Sequence, residues 1–216
     1  MPDAVKPKGR RRLSAAERRE RILAAATEVF AEHGYADASM GEIAQRAGVV
    51  ASVIYDHFAS KRDLHLYLLE HHGQALIERS IHAVTPGSPE EMLRESIGLF
   101  FRLVEEDPFA WRFLFRDPPA DPKVAAVWRR IHDAATAGIA ELTELATPGI
   151  ELIGGIERST AAVMIARASQ AATNGLVDWW FEHREVSRER VTALAVAILW
   201  DGFGRLLEQA RAELSP

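Results

Sequence analysis

From residue 14 onward, apolar residues recur every three or four positions, in runs separated by short breaks rich in Gly, Pro, Ser and Asp. That period marks amphipathic helices, and no run reads convincingly as a strand. Ser14 followed by Glu17 is a capping box opening a first helix, with Ile22, Ala26, Val29 and Phe30 on its buried face and an end at His33-Gly34. Ser39 and Glu42 repeat the box before a short second helix whose apolar side is Met40, Ile43, Ala44 and Ala47. Gly48 suits the left-handed backbone that ends a helix. Val49, Val53, Ile54 and Phe58 then give a third apolar stripe. A fourth helix is predicted from near Ser60 to Ala83, where Pro86-Gly87-Ser88-Pro89 breaks the chain, and a fifth from Glu90 to Glu105. Asp107-Pro108 and Asp121-Pro122 each join a capping Asp to a Pro fit for the first helical position, starting a sixth helix and a seventh that reaches Ala146. Two long helices follow, Glu157 to Glu182 and Ser187 to Glu213. The fold class is all-α.

The stretch SMGEIAQRAGVVASVIYDHFASK, residues 39–61, carries the sharpest signal. Its second helix buries Val53, Ile54 and Phe58 and turns Val50, Ala51, Ser52, Tyr55, Asp56 and His57 outward. Two helices joined by a short Gly-containing turn form a helix-turn-helix, whose second helix enters the DNA major groove. An ordinary hairpin within a bundle has the same geometry. The outward face of hydroxyl, imidazole and small residues is useful against a duplex and unnecessary in a hairpin.

The surrounding segment, residues 21–70, resembles the N-terminal domain of the TetR family of bacterial transcriptional regulators. The matching positions include Ile22, Ala25, Phe30, Gly34, Tyr35, Ser39, Ile43, Ala44, Ala47, Gly48, Val49, Ile54, Tyr55, Phe58, Lys61 and Leu64. The resemblance implies a flexible basic arm over 1–13, a three-helix DNA-binding domain over 14–62, and a helical effector-binding and dimerisation domain over 63–216. It implies a repressor that acts as a homodimer on a palindromic operator of double-stranded DNA and is released by a small effector. It also places Tyr55, His57 and Lys61 against the DNA backbone, with Ser39 at a helix N-terminus suited to the same task. The reading helix departs from the family, because Val50-Ala51-Ser52-Val53 contains no Lys or Arg and the bidentate guanine contact is not available. Val50 and Ala51 are expected on thymine methyls, Ser52 in a hydrogen bond and Asp56 on a cytosine amine. Arg10, Arg11 and Arg12 either reach a groove or phosphates, as homeodomain arms do, or form a solubilising tail.

Phe100, Phe101, Phe109, Trp111, Phe113, Phe115 and Trp128 crowd the middle segment, where the resemblance puts an effector pocket. Aromatics at helical spacing read equally as core. Arg167, Gln170, Thr173 and Asn174 are polar within an apolar helix and are candidates for a ligand's polar end, a dimer interface or solvent. The effector expected is small and hydrophobic or amphipathic. Val163, Ala166, Gln170 and Val177 on the eighth helix, with Leu194, Ile198, Gly202 and Leu206 on the ninth, are the expected dimer interface, a four-helix bundle.

The chain has 216 residues and a net charge of −5, unfavourable for nucleic acid as a bulk property. Its distribution changes the picture: residues 1–65 hold eleven Lys or Arg against nine Asp or Glu, so one end is basic and the rest acidic. Cysteine is absent, which excludes disulfides and thiol catalysis and fits a reducing cytoplasm. Neither a signal peptide nor a membrane span is evident. His71, His72 and His82 lack the spacing of a zinc site, no catalytic motif is found, and no cofactor is implied. The rival readings are an activator with the same DNA-binding domain, and a helical carrier or enzyme whose N-terminal motif is purely structural.

Overall fold

The computed structural model describes residues 14–115, 120–149, 152 and 154–213, with side chains as far as residue 202. Among the described residues all regular structure is helical, in the order α1 (Ala15–Asp37), α2 (Met40–Ala47), α3 (Ala51–Tyr55), α4 (Lys61–Ser80), α5 (Pro89–Glu106), α6 (Pro108–Phe115), α7 (Pro122–Ala146), α8 (Arg158–Glu182) and α9 (Arg188–Glu213). The caps are those the sequence announces. Ser14 and Glu17 close a reciprocal box, Ser88 and Glu91 form another, and Asp121 accepts from the first amides of α7. The Ser39 box is only half made. Ser39 accepts from the Glu42 amide, but the Glu42 carboxylate turns to His33 at 2.9 Å instead of reaching back. Gly34 interrupts α1 with φ of 75°, and α4 ends at Ser80, a little short of the expected Ala83.

Helices α1 to α4 pack around Ile22, Val29, Phe30, Ile43, Ile54 and Leu68, and the same cluster takes in Phe113 and Leu114 of α6 with Val124 and Ile131 of α7. The expected domain boundary at 62/63 therefore falls in the first turn of α4, inside one continuous core. A second cluster joins α5, α6, α8 and α9 through Phe101, Trp111, Val177 and Trp180. A third lies between α7 and the start of α8 around Ala161 and Ala166. The α6 helix is the wedge between the first two. Its carboxyl end is held to α7 because the Leu114 carbonyl accepts from both Trp128 Nε1 (2.8 Å) and His132 Nε2 (3.1 Å). No helix among the described residues is long and apolar enough to cross a membrane.

Helix α4 lies tightly on α7 at Gly73, where an added Cβ would stand 2.6 Å from Ile131 Cγ2 and 3.0 Å from its Cδ1. Ile131 is buried and β-branched, so it has little freedom to yield. Gly73→Ala therefore destabilises the protein by about 1–3 kcal/mol through overpacking, which outweighs the ~1 kcal/mol gain in helix propensity. In an Ile131→Ala background the clash is gone and the sign reverses: Gly73→Ala then stabilises. Urea unfolding of the four proteins of this cycle measures both effects.

Candidate nucleic-acid interface and ligand cavity

The turn between α2 and α3 is built by Gly48, whose left-handed backbone (φ 69°, ψ 34°) lets Val49 N–H reach the Ala44 carbonyl at 3.0 Å while its own N–H bonds Gln45. Ile54 and Phe58 are buried beneath the motif and fix its rotation. Val50 is 67% exposed and Tyr55 52% exposed, and Ser52, Asp56 and His57 are exposed beside them, with Ala51 half-buried. Ser39 is exposed at the α2 N-terminus, where it caps. These residues share one solvent-facing surface of the motif, with no protein side chain bonded to Tyr55, His57 or Ser52 among the described residues.

Lys61 departs from its expected place. Its ammonium donates to the carbonyls of Tyr35 (2.7 Å), Ala36 (3.1 Å) and Ala38 (2.9 Å), and it sits 4.7 Å from the centre of the Tyr35 ring. An ammonium has three protons, so all are in use. Lys61 is thus a clasp between α4 and the irregular end of α1, not a hand held out to phosphate. Arg46, also within the motif, is engaged by Glu28, Glu32 and Glu42. Arg10, Arg11 and Arg12 lie outside the described residues.

Behind the clasp, His65 of α4 stands in a cage of Phe30 (4.6 Å), Tyr35 (4.8 Å) and Phe113 (4.8 Å), measured between ring centroids. Its Nδ1 is buried without a hydrogen-bond partner. Burial, with a smaller push from Lys61, lowers its pKa to about 3, against a weak pull from Asp121. Two helical turns further, His72 bonds Thr27 Oγ1 at 2.9 Å. That hydroxyl spends its proton on the Leu23 carbonyl, so it accepts from His72 Nε2. Burial lowers the His72 pKa as well.

In the C-terminal half, α4, α5, α6, α7, α8 and α9 surround a cavity of about 1090 Å³ of empty space, part of it open to solvent. Of the residues expected there, Phe100, Phe115, Gln170 and Asn174 line it, and Thr173 does too. Four others do not. Phe101 is fully buried in the core on the far side of its helix. Trp111 faces a smaller cavity beside His72 and Arg79, with its Nε1 on Asn174 Oδ1 at 3.3 Å. Trp128 is occupied in anchoring α6. Arg167 points to solvent and pairs with Asp133 at 3.1 Å. Reading from sequence overlooks Met92, Ile139, Leu142 and Trp200 on the wall, which an apolar stripe does not distinguish from core.

Of the expected dimer residues, Val163, Leu194 and Ile198 are exposed, the last two by half, and Gly202 is exposed as well. Met164 and Trp179 join them. Val177 is the correction: it is fully buried within the chain's own core, as is Ala166. The Leu206 side chain lies outside those described.

The family model described as bacterial regulatory proteins, tetR family, matches residues 22–68. Over 197 residues the chain is 30% identical to the HTH-type transcriptional activator FasR of Mycolicibacterium smegmatis, spanning 90% of this chain and 87% of that protein. The crystal structure of a TetR-like transcriptional regulator from Rhodococcus sp. RHA1 superposes with a TM-score of 0.72 at 25% identity, covering 89% of this chain and 99% of that one. The transcriptional regulator FadR of Bacillus subtilis, solved in complex with stearoyl-CoA, gives 0.66 at 21% identity over 88% and 97% of the two chains. The chain belongs to the TetR family and is a transcriptional regulator with a helix-turn-helix DNA-binding region.

The clasp and its cage have measurable consequences. Lys61→Met lowers stability by about 1–3 kcal/mol in urea unfolding, since charged donors are removed from three carbonyls. It is expected to change the salt dependence of DNA binding little, because all three ammonium protons are already committed to backbone carbonyls. For His65 the unfolded chain protonates near pH 6.5 while the folded one resists until about pH 3. Its stabilising contribution is therefore complete above pH 6.5 and drains away as pH falls toward 3, by on the order of a few kcal/mol. His65→Phe, measured by urea unfolding between pH 4.5 and 8, flattens that slope.

Proposed function

We propose that this regulator binds an inverted-repeat operator as a homodimer and that an apolar chain entering the C-terminal cavity changes its hold on DNA. The observation carrying the DNA half is the exposed face of α3 and the residues just after it, where the side chains of Ser52, Tyr55 and His57 project with no protein partner among the described residues while Ile54 and Phe58 anchor the helix from beneath. Residues 14–62 are the reading domain, and residues 63–216 form the effector and dimer domain. Tyr55 and His57 serve as phosphate donors, Val50 and Ala51 meet thymine methyls, and Ser52 and Asp56 read base edges. Dimerisation uses the exposed apolar face of α8 and α9, with Val163, Met164, Leu194 and Ile198 at its centre. Its symmetry requires matched half-sites. The working compartment is the cytoplasm.

The effector half rests on the cavity, mainly apolar and partly open to solvent, with α6 between it and the reading domain. A stearoyl-CoA complex of a similarly folded regulator supports an acyl chain as occupant. An occupant acts only by its difference in affinity for two conformations. Release from an operator overlapping a promoter makes the protein a repressor, as the general logic of such regulators suggests. The activator reading has one observation in its favour, the name of the relative at 30% identity. Footprint position relative to the promoter separates the two.

Gel shifts on genomic fragments at physiological salt test the whole reading: a short inverted repeat is selected. Tyr55→Ala weakens binding to every site, whereas changes at Ala51 or Ser52 alter which sequence is preferred. The reading helix carries no cation, so counterion release falls to the arm. Replacing Arg10, Arg11 and Arg12 together by Ala in the full chain lowers the slope of log K against log salt by about 0.9 for each phosphate those side chains neutralise. An unchanged slope assigns the arm to solubility alone.

A further inference from the structure

The polar groups on the cavity wall are unequal in what they can still offer. The hydroxyls of Ser80, Thr143, Thr147 and Thr173 donate to backbone carbonyls one turn back at 2.6–2.9 Å. Thr136 lies between the His132 carbonyl and the Gln170 side-chain oxygen, at 2.9 and 2.8 Å; its single proton serves one of them at a time, and the Gln170 amide N–H groups stay available at the wall. Asn174 differs. An indole N–H can only donate, so the 3.3 Å bond from Trp111 forces Asn174 to present its oxygen to α6 and its amide N–H groups elsewhere. Among the described residues that amide nitrogen has no protein partner, and Asn174 lines the cavity. No Lys, Arg, His, Asp or Glu is among the described lining residues.

We infer that Asn174 determines effector specificity by donating to a neutral carbonyl oxygen on an otherwise aliphatic ligand. The matching class is an acyl chain held as ester, thioester or amide, with the carbonyl inside the cavity. Among the described lining residues an ionised carboxylate has no cation to meet, and burying it uncompensated is prohibitive. A free acid must leave its head outside and forgo the Asn174 bond. This inference rests on the reading of the cavity as an effector site and adds the chemistry of what it selects.

Titration of the full chain with methyl laurate, laurate and dodecane at pH 8, followed by tryptophan fluorescence from Trp111 and Trp200 beside the site, is the test. Asn174→Leu is expected to weaken methyl laurate binding about three- to tenfold, the range of one hydrogen bond, and to leave laurate and dodecane unchanged. Trp111→Phe frees Asn174 to rotate and should weaken the ester alone, by less; it carries the test if Asn174→Leu does not fold. Equal losses for ester and alkane, no loss for any ligand, or a loss confined to laurate would overturn the assignment of Asn174 while leaving the cavity reading in place. If none of the three binds the wild-type chain, both fall together.

Discussion

Helix α4 is common property of the two halves, and the clasp at its first turn governs what the reading surface can do. Lys61 draws three carbonyls from the end of α1 onto one ammonium, where Gly34 has broken the helix and left those oxygens without intrahelical partners. A buried or half-buried carbonyl must be satisfied somewhere. Here the satisfying group is the first residue of the helix that leads into the C-terminal half. The position of α1, and with it of α2 packed beside it and of α3 packed on α2, is therefore referred to α4. Further along, α4 is seated on α7 at Gly73 and Ile131 with no slack. A tilt of α4 would therefore be passed to the reading surface under the proposed mechanism.

The wedge α6 completes the mechanical picture. Phe113 and Leu114 belong to the core of the reading domain, Trp111 to the core of the other half, and Phe115 to the cavity wall. One short helix thus touches all three. Packed interiors at crystal-like density shift between discrete arrangements instead of deforming smoothly. A coupling of roughly 1–3 kcal/mol between cavity and operator, enough for a several- to hundredfold change in affinity, requires only that an occupant favour one packing of α6 over another. The neutral imidazoles His65 and His72 line the same junction on the α4 side. Apolar contact, unhelped by charge, holds it.

Much of this is legible in the chain because local signals are strong where helices begin and end. Ser14 with Glu17, Asp107-Pro108, Asp121-Pro122 and Gly48 each act within a few residues, and the structure uses every one. Rotation about the helix axis is less accessible. In α8, apolar or small residues lie on nearly every side, so Val163 and Val177 share a face on paper while one is exposed and the other fully buried. Phe100 and Phe101 are adjacent, and only packing decides which meets the cavity. Lys61 escapes a reading from sequence for a different reason: its partners are backbone carbonyls 23–26 residues away, and carbonyls carry no sequence signature.

The electrostatics of the reading surface connect these observations. Within the motif and its flank, Arg46 is held by three carboxylates, Lys61 by carbonyls, and Arg62 lies 3.9 Å from Asp121. The cations that organise the fold are thereby engaged within the protein, and α3 itself carries no charged side chain. On the proposed reading, such a surface would gain little from counterion release and depend on hydrogen bonds, methyl contacts and the partial positive charge at the α2 and α4 N-termini. Those interactions fall off within a few ångströms, so they reward correct alignment and fail abruptly when half-sites and helices are out of register. Under the proposed effector mechanism, a small tilt of α4 would then be sufficient to switch binding. A surface rich in free Lys and Arg would hold DNA through the same tilt, and the effector would have little to act upon.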